Sequence, residues 1–372
     1  MNSKVSIVRC NSYTGPLVWD AVKKSIEALG GISNFIKPES RVLVKPNLLM
    51  AKEPEFGITT HPEVVRAVVK VLKEINCRIF IGDGPSVWGA HSENADEVYE
   101  CTGLKKISEE EGVELVKFDK KRWRGKFPLT TWLDNCDHLV SVPKFKTHEL
   151  TTLTAAIKNL YGLVSDTFKT ELHRKYFDVR EFCNILVDIL EEVRPALSVI
   201  DGVIAMEGDG PATSGKLYEA GVVLAGSDCA ALDSILAFIM GLEPCDILTT
   251  KEAARRGLGV ADIKSIQVLG EPLENVIERD FELPRASLTR RLPRPVTDVI
   301  RRLIRFYPKV EHGNCIRCGS CIKACPKKVI SMKKERISID YSGCISCFCC
   351  QEICPASAIK VKKGAFARLI GL

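Results

Sequence analysis

The chain has 372 residues, of which 45% are hydrophobic and 27% charged, and its formal net charge is +6. These values are ordinary for a soluble globular protein, and the length predicts two or three domains rather than one core. No run of eighteen apolar residues occurs and the first residues lack the apolar stretch of a secretory signal, so we predict a cytoplasmic protein without a transmembrane segment.

Residues 1–284 alternate short apolar runs with amphipathic segments. The runs predict strands at 4–9, 41–45, 78–82, 114–118, 138–142, 196–200, 221–225 and 264–269. The amphipathic segments predict helices at 16–29, 62–75, 94–110, 151–162, 181–193, 229–240 and 246–256. Continuous Val, Ile and Leu are typical of strands covered on both faces, so this alternation predicts an α/β domain with a mostly parallel sheet. Residues 163–180 lack a period and are predicted to be an insertion or lid.

Polar side chains follow several of the predicted strands, at the point where each strand ends. Because ligands of an open parallel sheet bind beyond the carboxyl ends of its strands, we expect these side chains to share one rim. The residues expected at this rim are Lys45, Asn47, Asp83, Lys144, Lys146, His148, Asp201, Glu207 and Asp209.

Three lysines, a histidine and several acids in one cleft suit an anionic ligand, and they also admit a divalent metal. The predicted catalytic residues are His148, Lys144, Asp83 and Asp201. The predicted ligand-binding residues are Lys45, Asn47, Lys146, Glu207 and Asp209. Alternatives stay open at this stage, since His148 alone is equally consistent with a surface histidine, and Lys158-Asn159 either caps a helix or faces the cleft.

The segment 285–310 concentrates positive charge, with seven Arg, one Lys and one Asp between residues 285 and 309. Its apolar residues fall on one helical stripe, formed by Val296, Val299, Ile300, Leu303, Ile304 and Tyr307. We predict a basic amphipathic connector helix that packs one domain onto the other, and contact with a membrane surface is the less favoured alternative. This segment has a net charge of +7, so the rest of the chain sums to −1, and that near-neutral balance argues against nucleic-acid binding.

The last part of the chain repeats one cysteine pattern, Cys-x2-Cys-x2-Cys-x3-Cys-Pro, at 315–326 and again at 344–355. In this spacing the fourth cysteine of each copy ligates the other cluster. One predicted ligand set is therefore Cys315, Cys318, Cys321 and Cys354, and the other is Cys344, Cys347, Cys350 and Cys325. Residues 311–363 thus resemble a bacterial-type ferredoxin with two [4Fe–4S] clusters, whereas a zinc ribbon needs two Cys-x2-Cys pairs without the third cysteine or the proline. Cys349 lies between two of the ligands and is predicted to be a bystander.

Seven short motifs in the first part of the chain resemble the domain-of-unknown-function 362 family. They are KPN (45–47), T-x-P (Thr60, Pro62), PKFKTH (143–148), IKNLYG (157–162), DG (201–202), EGDGP (207–211) and D-x4-D (Asp228, Asp233). The resemblance covers about residues 4–270, and members of the family often carry a C-terminal two-cluster ferredoxin. It implies that the KPN and PKFKTH loops form the site, but it supplies no substrate.

These observations predict an α/β domain (1–284), the connector (285–310), a small α+β ferredoxin-like domain (311–364) and a tail (365–372). The predicted function is an iron–sulfur oxidoreductase that passes single electrons between a soluble redox partner protein and an anionic small molecule in the α/β cleft. Two alternatives remain: an electron shuttle whose large domain docks a partner enzyme, and a non-redox enzyme with structural clusters.

Overall fold

The computed structural model describes residues 3–84, 87–88, 91–92, 94–165, 168–176, 178–277, 280–284 and 306–363. The strands are β1 (Ser3–Arg9), β2 (Arg41–Pro46), β3 (Arg78–Ile81), β4 (Val87–Trp88), β5 (His91–Ser92), β6 (Glu114–Leu115), β7 (Lys121–Arg124), β8 (Phe127–Thr130), β9 (His138–Val142), β10 (Lys144–His148), β11 (Thr152–Thr154), β12 (Leu197–Gly208), β13 (Gly215–Tyr218), β14 (Val222–Gly226), β15 (Ile266–Gly270), β16 (Phe306–Val310), β17 (Ile330–Lys333), β18 (Arg336–Ile339) and β19 (Ile359–Lys363). The helices are α1 (Gly15–Ala28), α2 (Pro62–Lys73), α3 (Ala95–Cys101), α4 (Leu104–Glu111), α5 (Trp132–Asn135), α6 (Ala156–Asn159), α7 (Phe168–Lys175), α8 (Val179–Glu192), α9 (Cys229–Ile239), α10 (Leu248–Arg255), α11 (Ser320–Ala324) and α12 (Cys349–Glu352). Among these described residues, no helix is both long enough and apolar enough to span a membrane.

One large mixed sheet organises the first part of the chain. Its strands lie in the order β15–β1–β14–β12–β9–β2–β3–β6, and β10, β11 and β13 join it beside β12. Along that order only β14 runs antiparallel to its neighbours. The prediction of an α/β domain with a mostly parallel sheet is confirmed at this level.

Helices cover both faces of the sheet because successive strand side chains point to opposite sides. Val42 and Val44 of β2 pack into the core that holds α1 and α2, while Leu43 between them packs into the core that holds α8 and α9. The valines of α2 recur at helical spacing and are buried, which is the pattern expected of a helix on a sheet. The carboxyl ends of β2, β3, β9 and the first part of β12 therefore share one edge.

Two of the predicted elements near this edge are wrong. The PKFKTH segment is not a loop, because β12 extends well past the predicted 196–200 and offers an edge with which β10 pairs. The predicted helix 151–162 begins only at Ala156, since Thr152 has a φ of 71° and Thr152–Thr154 pairs with β10 as a hairpin. Threonines are β-branched and favour such a strand over a helix.

The C-terminal unit consists of two small hairpin-like sheets and two short helices. Strands β17 and β18 form one antiparallel pair, at nearly the positions predicted for Val329–Met332 and Arg336–Ile339. Strands β16 and β19 form the other pair and bring the two ends of the unit together.

The predicted connector helix is wrong over its last residues. Tyr307 lies in β16 opposite Lys362 rather than on a helical stripe. Pro308 follows at once and cannot continue a helix, and its carbonyl accepts a hydrogen bond from the Tyr341 hydroxyl. Residues 285–305 and the predicted tail lie outside the described residues, so the rest of the connector and its boundaries stay predictions.

Candidate functional site

Lys45 and Asp83 form a buried ion pair where β2 and β3 end. The two charged groups are 2.7 Å apart, and both side chains are at most 2% exposed. Asp83 also accepts hydrogen bonds from the backbone N–H groups of Leu48 and Gly84, each at 2.8 Å. Burial lowers the pKa of Lys45, and the Asp83 carboxylate opposes that shift.

Asn159 ties this pair to the neighbouring strand. Its Oδ1 accepts from the Lys45 ammonium and from the Asn47 amide, both at 3.2 Å. Its Nδ2 donates to the Lys45 carbonyl at 3.3 Å and to the Ser141 hydroxyl at 2.9 Å. Gly162 approaches the pair so closely that a Cβ atom there would overlap both the Asp83 carboxylate and the Lys45 ammonium. The IKNLYG motif therefore belongs to the site through Asn159 and Gly162.

Lys144 and Asp201 form a second buried ion pair, 2.9 Å apart. The Tyr13 hydroxyl accepts from Lys144 at 2.6 Å and donates to Asp201 at 2.7 Å. The Tyr13 ring stacks on His61, with 3.6 Å between ring centroids, and the His61 backbone N–H donates to Asp201. Burial is the main cause of the lowered pKa of Lys144. It is also the main cause that brings the pKa of His61 down to about 4.

Lys146 and the half-buried Lys158 face an acid from the C-terminal unit. Lys146 is buried and donates to the Ile58 carbonyl at 2.6 Å. Its pKa is lowered well below the usual value, first by burial and then by repulsion from Lys158. Glu352 of α12 is the acid that counters the shifts of both lysines, and burial raises the pKa of Glu352 to about 7. We call Lys45, Lys144, Lys146, Lys158, Asp83, Asp201 and Glu352 the buried lysine site.

His148 contacts the same glutamate. Its Nδ1 accepts hydrogen bonds from the backbone N–H groups of Leu150, at 3.0 Å, and Thr151, at 3.3 Å. A nitrogen that accepts carries no proton, so the neutral ring holds its proton on Nε2. That nitrogen lies 3.5 Å from Oε1 of Glu352. The arrangement points the proton of His148 towards the carboxylate.

The C-terminal unit is held against the sheet edge around α12. Leu49 of the KPNLLM segment packs against Cys349 and Ile353. The Thr213 hydroxyl donates to the Cys354 carbonyl at 3.2 Å, and the Ser357 hydroxyl donates back to the Thr213 carbonyl at 2.9 Å. These contacts explain why Glu352 is buried although it lies in a different unit from the lysines.

The structure separates two predicted residues from this site. The Glu207 carboxylate accepts from the Glu282 backbone N–H at 2.8 Å, farther along β12. Asp209 lines an open cleft of about 600 Å³ between the two units, together with Lys309 and Lys360. Asp209 therefore lies beside the second unit, and Glu207 lies against Glu282 of the α/β unit.

The eight motif cysteines surround two separate cavities. Cys325, Cys344, Cys347 and Cys350 line one of them, with Ile330, Ile339 and Phe348. Cys315, Cys318, Cys321 and Cys354 line the other, with Val310, Ile337 and Ile359. This division has the same members as the two predicted ligand sets, and thiols in an apolar enclosure fit a [4Fe–4S] cluster. Cys349 lines neither cavity, and the ligand assignment itself stays a prediction.

Within the described ranges, no group of three or more His, Cys, Asp or Glu side chains is arranged to hold a single metal ion. Each thiolate of a [4Fe–4S] cluster binds a different iron atom, so the cysteines around the two cavities are spaced differently from the ligands of a single metal ion. Asp83 and Asp201 are already paired with lysines, so the divalent metal admitted from the sequence gains no support.

Sequence reasoning missed Tyr13, His61 and Glu352. His61 sits inside the T-x-P motif, which was the one available signal. Glu352 lies between two cysteines of the repeated motif, which drew attention to the cysteines alone. Tyr13 reaches Asp201 from 188 residues away, which no local pattern reveals.

The chain matches two protein families and one curated protein over long stretches. The family described as Domain of unknown function (DUF362) matches residues 42–238, and the family described as 4Fe-4S dicluster domain matches residues 307–355. The thylakoid-associated protein sll1697 of Synechocystis sp. is 32% identical over 322 residues, which cover 84% of this chain and 98% of that protein. The lactate racemase apoprotein from Thermoanaerobacterium thermosaccharolyticum gives a TM-score of 0.40 at 14% identity, covering 65% of this chain and 58% of that one. A similarity of that extent supports no argument about function.

Proposed function

Because the chain belongs to the DUF362 family and carries a 4Fe-4S dicluster domain, we propose that it is an iron–sulfur oxidoreductase. In this proposal single electrons pass between a redox partner protein and an anionic ligand at the buried lysine site. Each cluster, when bound, supplies one-electron redox chemistry. We also propose the two sets of four cysteines named above as the ligands of two clusters.

One observation carries the proposal: helix α12 belongs to both sites. Cys350 lines one cysteine cavity, and Glu352, two residues later, faces Lys146, Lys158 and His148. Electron transfer becomes faster as the distance falls, so a ligand among these side chains would lie close to the Cys350 cavity. A ferredoxin unit that served only as a fold stabiliser would not need to present this helix to a cationic cleft.

The charges divide the lysines into two pairs. Lys45 and Lys144 are neutralised by Asp83 and Asp201, so they shape the site and need no further anion. Lys146 and Lys158 have Glu352 as their opposing charge. We propose that an anionic group of the ligand takes the place of the Glu352 carboxylate and that Nε2–H of His148 donates a hydrogen bond to it. Such charge-assisted contacts are about twice as strong as neutral hydrogen bonds.

A second candidate is an electron shuttle whose α/β domain only docks a partner enzyme. The burial of the lysines favours it, since Lys45, Lys144 and Lys146 are at most 2% exposed. Under the first candidate the C-terminal unit must move away from the sheet edge to admit the ligand and then close over it, so that the Cys350 cavity again lies close to the ligand. Under the second it stays in place.

The two candidates are separated by asking whether a small anion reoxidises the reduced protein. Anaerobically reconstituted protein is reduced and mixed with small anions that can accept electrons, namely nitrite, 2-oxo acids and unsaturated dicarboxylates, and with phosphate as an anion that cannot. The recovery of visible absorbance is followed. The first candidate predicts recovery with one class of anion, and its loss in Lys146→Met/Lys158→Met. Lys37→Met/Lys251→Met is the matched control because both lysines are exposed on the α/β unit.

Mass spectrometry of small molecules that co-purify under anaerobic conditions narrows the panel. If none of the anions restores the absorbance and no small molecule co-purifies, the shuttle is supported. Equal recovery in the Lys146→Met/Lys158→Met variant would show that the buried lysine site is not where the ligand binds.

A further inference from the structure

The two parts of the chain have opposite net charges. Residues 306–363 contain eleven Lys or Arg and four Asp or Glu, a net charge of +7. Residues 1–284 contain 34 basic and 42 acidic residues, a net charge of −8. The ferredoxin-like unit is therefore a basic module on an acidic domain, and neither the family match nor the relative assigns a role to this asymmetry.

Part of this charge lies around the tip of the β17–β18 hairpin, where two large apolar side chains of neighbouring segments are also exposed. Ile316 is 65% exposed and Met332 is 44% exposed. Lys333 and Arg336 are opposite each other at the end of the β17–β18 hairpin, and Lys334 lies in the turn between them. Arg317 joins the Ile316 loop to this turn through an ion pair with Glu335 at 3.0 Å. We call Ile316, Arg317, Met332, Lys333, Lys334 and Arg336 the basic hairpin face.

Two residues of the basic hairpin face line one of the two cysteine cavities. Ile316, Arg317 and Ile337 line the cavity of Cys315, Cys318, Cys321 and Cys354, and Cys318 itself is exposed. We call this the outer cavity because of the exposed Cys318. None of the four cysteines of the other cavity is exposed, and Cys350 lies in the helix that carries Glu352. A protein bound at the basic hairpin face would therefore stand next to the outer cavity, away from the buried lysine site.

We propose that the basic hairpin face is the docking surface for an acidic one-electron carrier protein. The proposal rests on the proposed electron-transfer function and names the partner class for its outer end. Exposed apolar side chains close to several basic residues match the composition of a transient protein interface, and charge complementarity mainly raises its association rate. The exchange is balanced, with one electron lost by the carrier and one gained in the outer cavity.

Two other partners, an anionic membrane and a second copy of the chain, account less well for the composition and position of the basic hairpin face. An anionic membrane would attract the lysines, but two apolar side chains give little area to insert. A second copy of the chain offers an acidic α/β unit, but that unit brings no electron to the outer cavity. Both occupants are outcomes of the same experiment.

The test is the binding of an oxidised plant-type ferredoxin, an acidic one-electron carrier, to the anaerobically reconstituted full chain. Fluorescence anisotropy of the labelled probe gives the dissociation constant at low and high salt. We expect Lys333→Glu/Lys334→Glu to weaken binding by about tenfold or more at low salt, and the difference to shrink at high salt. Lys37→Glu/Lys251→Glu carries the same charge change on the α/β unit and should bind as the wild type does. Unchanged iron content shows that each variant retains its clusters.

Equal affinity of the two double variants would overturn the proposal, as would an absence of probe binding by the wild type. Flotation of the wild type with phosphatidylglycerol vesicles, without probe binding, would assign the face to lipid. Self-association that Lys333→Glu/Lys334→Glu abolishes would assign it to a second copy. Binding in the oxidised state needs no ligand at the buried lysine site, so the failure of this proposal and that of the proposed function are separate results.

Discussion

Lys45 and Asp83 are among the least exposed charged side chains in the described part of the protein. Taking two charges out of water costs several kcal/mol for each ion, and their attraction offsets that penalty only with good geometry and further hydrogen bonds. Here the pair is 2.7 Å apart, and each partner has additional hydrogen bonds. The structure is therefore sensitive to the loss of one partner alone.

We predict that Lys45→Met destabilises the protein by about 3–5 kcal/mol, because it leaves the Asp83 carboxylate buried without its counter-ion. Lys45→Met/Asp83→Asn removes both charges and should be less destabilised than the single variant. The measurement is urea unfolding of the anaerobic protein. Lys23→Met is the control, since its ion pair with Glu74 is exposed and its loss should leave the midpoint unchanged. A double variant less stable than Lys45→Met would contradict this account.

His61 gives a pH dependence with a defined sign. Its pKa in the folded protein is lowered to about 4 by burial, with Lys144 lowering it further and Asp201 and Glu55 opposing. The unfolded chain, with an ordinary pKa of about 6.5, binds the proton first as the pH falls. The contribution of the uncharged His61 ring to the free energy of unfolding is therefore fully present above about pH 6.5. It is lost progressively between about pH 6.5 and 4.

We predict that His61→Asn, which retains an N-cap for α2, flattens the decline of stability between about pH 6.5 and 4 by an amount on the order of 2 kcal/mol. Unfolding midpoints of wild type and variant are compared across that range. Parallel curves would show that His61 titrates normally in the folded protein.

At the scale of the element, α12 combines three tasks in four residues. Cys350 lines a cysteine cavity, Cys349 packs against Leu49, and Glu352 faces the lysines. A helix turns by about 100° per residue, so adjacent cysteines must point in different directions. This geometry explains why Cys349 is a bystander in the predicted ligand sets.

The reconstituted protein should hold about eight iron atoms per chain, four for each cysteine set. Cys349→Ser should keep that iron, because the side chain lines neither cavity. Cys350→Ser should lose up to about half of it, because one set is incomplete. Iron and sulfide analysis with electron paramagnetic resonance distinguishes the two variants. The reverse order of iron loss would mean that the ligand register is wrong, and zinc instead of iron would refute the cluster assignment.

At the scale of the whole molecule, the contact between the two units decides whether the cysteine cavities and the lysines act together. Leu49 is the apolar centre of that contact, and Thr213 and Ser357 supply its hydrogen bonds. The contact also keeps Glu352 in the cleft, where it balances Lys146 and Lys158. Opening it would expose both groups to water.

We predict that Leu49→Asp separates the units, because a carboxylate cannot be buried against Cys349 and Ile353 without a counter-ion. The radius of gyration from small-angle X-ray scattering should increase, while the iron content stays unchanged. Leu17→Asp is the control, since Leu17 is 54% exposed. An unchanged radius, or loss of iron in Leu49→Asp, would show that the contact is not an independent interface.

The sequence by itself determined the alternation of strands and helices, the edge on which Lys45, Asp83, Lys144 and Asp201 lie, and the two cysteine sets. These features are readable because they depend on local periodicity and fixed spacing, as in the alternating burial of Val42, Leu43 and Val44. Only the tertiary structure decided that PKFKTH is a strand, since that depends on how far β12 extends. It also decided which acid meets which lysine, and it brought Tyr13 and Glu352 to the site from distant segments. Such pairings arise from packing between elements far apart in the chain, and no local pattern encodes them.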